Sequence, residues 1–302
     1  MKKDLISLAE LTAEEILDLL DLADELKRKQ HAHEEHRYLQ GQTLAMLFEK
    51  PSLRTRLTFE TGIYHLGGMG IFYQTRLGER ESVPDVARNL TRWCDAIVAR
   101  TFAHRSVETL AEYASVPVIN ALTDQFHPCQ ILADAQALRE HKGRLNGLKV
   151  AFVGDGNNVF ASWLNFAARI PIHLTLVCPE GYECDGAVLA FAQREAQGEV
   201  HVTHDLAAGI AGADAVYTDV WASMGQEAEA AQRRVHFMPY QVNAQVMAMA
   251  KSDAVFMHCL PAHRGDEVTD DVMDHPRSIV FDEAENRLHA QKAVMVTLMR
   301  RD

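Results

Sequence analysis

Apolar residues fall along this chain in two rhythms. Short unbroken runs alternate with stretches in which leucine, isoleucine, valine and alanine recur every three or four positions. Thr12-Ala13-Glu14-Glu15 is a capping box, and helical spacing follows from Ile16 to Leu26. His31, His33 and His36 come next in a polar, charged stretch that reads as a solvated helix end rather than a metal site. The run at 44–48 predicts a buried strand; Pro51 breaks it, Ser52 is a good N-cap, and a helix continues through Leu57 and Phe59. Residues 71–73 predict a short strand and 75–84 a polar loop containing Arg76. Strands at 96–100 and 116–120 each precede a helix, the second opening near His127-Pro128. Such alternation with short connections predicts a parallel sheet covered on both faces.

A polar stretch with two glycines, 141–147, separates this half from a new apolar strand at 148–153. Further strands are expected at 174–177, 215–218, 254–257 and 278–281, and a last helix from about Glu285 to Met299. The fold class expected is α/β, with two similar-sized domains, each a parallel sheet flanked by helices. Residues 1–141 form the first and 148–284 the second, with a C-terminal helix at 285–302 returning to the first. A length of 302 residues suits two cores.

In such sheets ligands bind beyond the carboxyl ends of the strands, and Arg54, Arg100 and His127 all fall there. The most informative stretch is Pro51-Ser52-Leu53-Arg54-Thr55-Arg56. A strand turning into a capped helix presents backbone N–H groups and the positive end of the helix dipole to an anion. Two arginines and two hydroxyls in the same turn match phosphate oxygens, so this reads as a phosphate cradle. His127 and Gln130, three apart at a helix start, suit a carbonyl oxygen. Asp219 heads a loop with Ser223, Met224 and Gly225 that suits an ammonium group. His258-Cys259 invites a zinc reading, set aside because adjacent residues at a strand end point opposite ways. Gly154-Asp155-Gly156 resembles half of a dinucleotide fingerprint, with Glu180 after the next strand, but position 159 is Val where the third glycine belongs. Asn157-Asn158 there suits a small polar ligand better.

Bulk properties narrow the field. A net charge of −12 argues against nucleic acid as the main partner and requires an anionic ligand to be drawn in by a local cationic site. Five scattered cysteines indicate neither a disulfide framework nor a zinc ribbon. Met1-Lys2-Lys3-Asp4 is followed by no apolar stretch, and no segment is apolar enough to span a membrane, so a cytoplasmic protein is expected.

Taken in order, residues 48–56, Arg100, residues 127–130, 219–225, 258–261 and 284–287 resemble the aspartate/ornithine carbamoyltransferase family over nearly the whole chain. Asp219-x-x-x-Ser223-Met224-Gly225 and His258-Cys259-Leu260-Pro261 look like its ornithine branch. The resemblance implies transfer of a carbamoyl group from carbamoyl phosphate to the δ-amine of L-ornithine, giving L-citrulline and phosphate. Ser52, Leu53, Arg54 and Thr55 would hold the phosphate; Arg100, His127, Gln130 and Arg287 its phosphate and carbonyl ends. Asn158, Asp219, Ser223 and Met224 would bind the ornithine α-amino and carboxylate groups. Cys259 and the backbone of Leu260 would sit beside the δ-amine and the carbonyl carbon, making Arg100, His127 and Cys259 the catalytic set. The resemblance further implies no metal or organic cofactor, a hinge at 142–147, and a homotrimer or multiple of trimers in which the Arg76 loop completes a neighbour's site. A role in arginine biosynthesis goes with it, although the residues leave open whether flux runs toward citrulline or toward its breakdown. Two positions depart from the family pattern: Leu53 replaces a threonine, and Arg76 stands where glutamine or histidine is usual. Competing readings are another amine acceptor (N-acetylornithine or putrescine), a dinucleotide-dependent oxidoreductase, and a catalytically silent relative.

Overall fold

The computed structural model describes residues 3–222 and 227–301, and the chain divides into two compact units. The first comprises Met1–Gln136 and Glu285–Asp302, the second Ala137–Ala284.

In the first unit α1 (Ala13–His31) starts at the expected capping box, with Thr12 and Glu15 each bonded to the other's backbone. Then come β1 (Thr43–Phe48), α2 (Leu53–His65), β2 (Met69–Gln74), α3 (Val83–Leu90), β3 (Ala96–Arg100), α4 (His104–Tyr113), β4 (Val118–Leu122) and the start of α5 (Pro128–Lys142). All strands are parallel, in the order β2-β1-β3-β4. From β1 the chain first steps to one side and then to the other, so the topological switch lies between β1 and β3, where Phe48 pairs with Arg100. Both faces of β1 are buried. Ala45 and Leu47 pack with Ala87, Val107 and Leu110 of α3 and α4, and each large apolar side chain buried this way contributes about 1.5–3 kcal/mol. His36 is not solvated as its polar surroundings suggest. It is buried, its Nδ1 donates to the Glu34 carbonyl at 2.7 Å, and its Nε2 accepts from Lys292 Nζ at 3.0 Å. Burial of Lys292 pushes its amine down to about 8, which suits that shared proton.

The second unit holds the end of α5, β5 (Lys149–Val153), α6 (Asn158–Ala167), β6 (His173–Val177), α7 (Gly186–Glu195), β7 (Val200–Thr203), α8 (Leu206–Ile210), β8 (Ala215–Thr218), α9 (Ala230–Phe237), α10 (Ala244–Met249), β9 (Val255–His258), α11 (Asp270–Met273) and the first turn of α12 (Val280–Met299). Its parallel order is β7-β6-β5-β8-β9, with the switch between β5 and β8. Phe152 of β5 stacks on Tyr217 of β8 at 5.1 Å, closing the centre of this sheet. The strand expected at 278–281 is instead the opening of α12. Only Ser278 bridges to Phe256, and Asp282 and Glu283 favour the first turn of a helix. β7 was not anticipated; it is a four-residue edge strand. Among the described residues no helix is long and apolar enough to cross a membrane.

Candidate active site

Each unit gathers polar side chains at its own switch point. In the first, Ser52 caps α2, its Oγ accepting from Thr55 N at 3.2 Å. That bond fixes the turn and directs Thr55 inward, where it is buried. Thr55 Oγ1 accepts from Arg287 Nη2 at 3.0 Å and from Arg100 Nη1 at 3.4 Å. Arg287 Nη1 donates to Gln130 Oε1 at 2.5 Å, and Gln130 in turn donates to Asp134 at 2.8 Å. Arg100 and Arg287 are both buried. So is His127, immediately before α5. Burial first, then the charges of Arg287, Arg100 and Arg54, hold its imidazole well below the usual histidine range. At neutral pH His127 is therefore a neutral N–H donor surrounded by guanidinium groups, a set made for an anionic oxygen and a carbonyl.

The same feature sets an acid limit on the fold. His127 titrates lower folded than unfolded, so its stabilising contribution is complete above the unfolded value of about 6.5 and is lost as pH falls from there toward the folded value. One such group contributes a slope of up to about 1.4 kcal/mol per pH unit. His127→Asn should therefore show a shallower loss of stability below neutrality in denaturant titrations. An unchanged slope would contradict the neutral assignment.

A residue the sequence reading passed over organises the loops around this cluster. Glu49, just after β1, accepts from Leu77 N at 2.8 Å with one carboxylate oxygen and from Phe102 N at 2.7 Å with the other. It ties the loop after β2 to the loop after β3. Leu53 is exposed, as is Arg76, whose nearest charge is Glu79 at 3.5 Å; an ion pair so open to water contributes little. Arg76 is not brought into the Thr55–Arg100–Arg287 cluster of its own chain.

In the second unit, Asn157 caps α6 by accepting from Val159 N and Phe160 N, and its Nδ2 donates to Asp219 Oδ2 at 2.7 Å. The other Asp219 oxygen accepts from Val220 N at 2.8 Å and from the Cys259 thiol at 3.0 Å. Asp219 and Cys259 thus form one constellation, with the cysteine as a protonated donor. Asn157 makes this contact with Asp219, and Asn158 opens the helix beside it. Arg233 bonds Asp155 at 2.9 Å and the Trp221 carbonyl at 3.0 Å, which joins the loops after β5 and β8. Ser223 and Met224 lie outside the described residues.

His258, Cys259 and Asp219 place donor atoms within 4.8 Å of one another, contrary to the expectation that neighbours at a strand end diverge. Cys259 has already left β9 for the following turn. A metal is still poorly served here. His258 Nδ1 accepts from Leu260 N at 2.9 Å and its Nε2 faces buried Glu267 at 3.2 Å, so both nitrogens are committed to holding the turn. Leu260, at a φ of 58°, spends its N–H on that bond and can offer a ligand its carbonyl. A cavity of about 390 Å³ lined by Met247, Phe256, Val272 and His275 contains none of these residues.

Both units have counterparts in known proteins. Residues 3–140 match the aspartate/ornithine carbamoyltransferase carbamoyl-P binding domain, and residues 146–298 match the Asp/Orn binding domain of the same family. An ornithine carbamoyltransferase from Thermococcus kodakarensis is 52% identical, the match covering 98% of this chain and 96% of the relative. One from Chlorobaculum tepidum is 50% identical, covering 100% and 91%. The solved ornithine carbamoyltransferase of Pyrococcus furiosus superposes with a TM-score of 0.96 at 50% identity, over 98% of this chain and 96% of that one. The chain belongs to the aspartate/ornithine carbamoyltransferase family.

Proposed function

We propose that this protein transfers the carbamoyl group of carbamoyl phosphate to the δ-amine of L-ornithine, releasing L-citrulline and phosphate. The observation that carries this reading is the buried set of Thr55, Arg100, Gln130 and Arg287 around a neutral His127 at the switch point of the first sheet. Ser52, Leu53 through its backbone, Arg54 and Thr55 hold the phosphate at the N-terminus of α2, where dipole and guanidinium charge stabilise it as a leaving group. Arg100 and His127 polarise the carbamoyl oxygen. The δ-amine, having lost a proton, attacks the carbamoyl carbon; the tetrahedral intermediate collapses by breaking the bond to the phosphate oxygen. Asp219, oriented by Asn157, takes the ornithine ammonium end together with Asn158, Ser223 and Met224. Cys259 and the Leu260 carbonyl lie toward the reacting amine. The chemistry consists of positioning and fixed charge, and no step calls for a metal or organic cofactor.

The Asp219 carboxylate favours a free α-amine over N-acetylornithine, and putrescine has neither an α-amine nor a carboxylate for this loop to hold. Assaying ureido product from carbamoyl phosphate with each amine tests this directly. Ornithine should be the preferred acceptor, and equal or faster turnover with putrescine or N-acetylornithine would overturn the assignment.

We further read the protein as a cytoplasmic homotrimer. Supporting this, edge strand β2 and helix α2 of the first unit leave Leu57, Tyr64, Met69, Ile71 and Tyr73 exposed. An apolar edge strand of this sort normally needs covering. The loop bearing Arg76 leaves the end of β2, so a neighbour seated on this face receives that arginine. Ile71→Lys should dissociate the trimer in light scattering and remove most activity with it. Trimers of unchanged mass and full activity would exclude this face as the interface.

A further inference from the structure

The loops leaving β6 and β7 bring together three side chains that have no part in the site above. Cys178, Glu183 and His204 each offer a donor atom within 4.8 Å of the other two. The arrangement is more specific than proximity. His204 Nδ1 lies 2.8 Å from the Cys178 carbonyl oxygen, and a carbonyl only accepts, so Nδ1 carries the proton. That leaves Nε2 as the ring atom open to a ligand, and it faces Glu183 Oε1 at 3.5 Å. An imidazole nitrogen and a carboxylate oxygen so placed are joined by a shared cation, either a proton on Nε2 or a metal ion. Nitrogen and oxygen ligands on a tetrahedral zinc ion sit about 3.4 Å apart, which is the spacing already present. An imidazole that donates its other N–H to a backbone carbonyl also has the orienting contact that metal-bound histidines use.

Glu183 is aimed by its own loop. Gly181, at a φ of +84°, reverses the chain, and its N–H donates to Glu183 Oε1 at 3.2 Å. Among the described residues no lysine or arginine pairs with this carboxylate. The other two three-donor groups differ on this point. Beside His31, Glu285 and His289 stands Lys27, 3.8 Å from Glu285, and the His258 group has both imidazole nitrogens committed.

We propose that Cys178, Glu183 and His204 form a site for Zn²⁺ or a similarly soft divalent ion, with a fourth position open to water. Binding displaces the Cys178 thiol proton into solvent and forms a sulfur–metal bond. The site is a clamp on the 178–185 loop. Tyr182 in that loop accepts from Gly156 N at 2.9 Å, and the loop backbone comes so close that a Cβ on Gly156 would lie 2.3 Å from Cys184 N. Gly156 precedes Asn157, the residue that orients Asp219, so the ion steadies the turn behind the amine-binding group.

The test is cobalt titration of the full chain carrying Cys259→Ser, which removes the thiol near Asp219 as a reporter. One Co²⁺ per chain should bind with a thiolate-to-cobalt charge-transfer band that zinc abolishes by displacement. Glu183→Gln and His204→Ala alter exposed side chains and should fold; each should weaken cobalt binding by at least about tenfold. Cys178→Ser should remove the band, whereas Cys184→Ser should keep it. Zinc should raise Tm in the parent and not in His204→Ala. No thiolate band, or a band indifferent to His204→Ala, or one lost with Cys184 rather than Cys178, overturns the proposal.

Discussion

Arg287→Met should lower kcat/KM for carbamoyl phosphate by about a thousandfold, on the order of 4 kcal/mol of transition-state stabilisation. Arg287 is 2% exposed and joins Thr55 to Gln130, so its loss removes a charge and leaves two buried oxygens short of a donor. Methionine fills much of the volume, which limits packing damage. The variant carries a second, independent reading. Arg287 is the first charge, after burial, that depresses the His127 imidazole, so its removal raises the histidine toward its ordinary value. The acid limb of the kcat/KM profile should move to higher pH. Kinetics within about threefold of wild type, with an unmoved limb, would remove Arg287 from the phosphate site.

Asp219→Asn should raise the ornithine KM by about a hundredfold or more while carbamoyl phosphate binding stays near wild type. The amide preserves shape and can still accept from Val220 N. It cannot pair with an ammonium, and an NH₂ on the wrong side confronts the Asn157 amide now 2.7 Å away. Measuring both substrate constants separates this from general damage. Equal weakening of the two would mean that Asp219 supports the fold and does not bind the amine.

What could be read from the chain was chemistry whose cause is local. The turn at Pro51-Ser52 is legible because a proline, a cap and a helix start are set by adjacent residues, and the strands around it are unbroken apolar runs. Likewise Thr12 and Glu15 form their box within one turn. What stayed hidden depends on partners far away in sequence. Glu49 looks like a surface carboxylate until Phe102 N, 53 residues on, is found against it. His36 reads as solvated because its neighbours are charged, whereas its partner Lys292 is 256 residues distant. Residues 278–281 have strand-forming side chains, but the following acidic pair and the demand on Glu283 to hold His258 N at 3.1 Å turn them into a helix.

The hydrogen bond between Thr55 and Arg287 spans 232 positions, with all of the second unit in between. During synthesis at ordinary rates that interval amounts to roughly ten to fifty seconds. The nascent first sheet must wait this long with its anion cradle lacking one guanidinium. The second unit, contiguous from Ala137 to Ala284, leaves the ribosome whole and can fold in the meantime. The Thr55–Arg287 bond is thus formed only after the second unit has been made, and a product that stalls or is released before Arg287 carries a first sheet without that buried arginine.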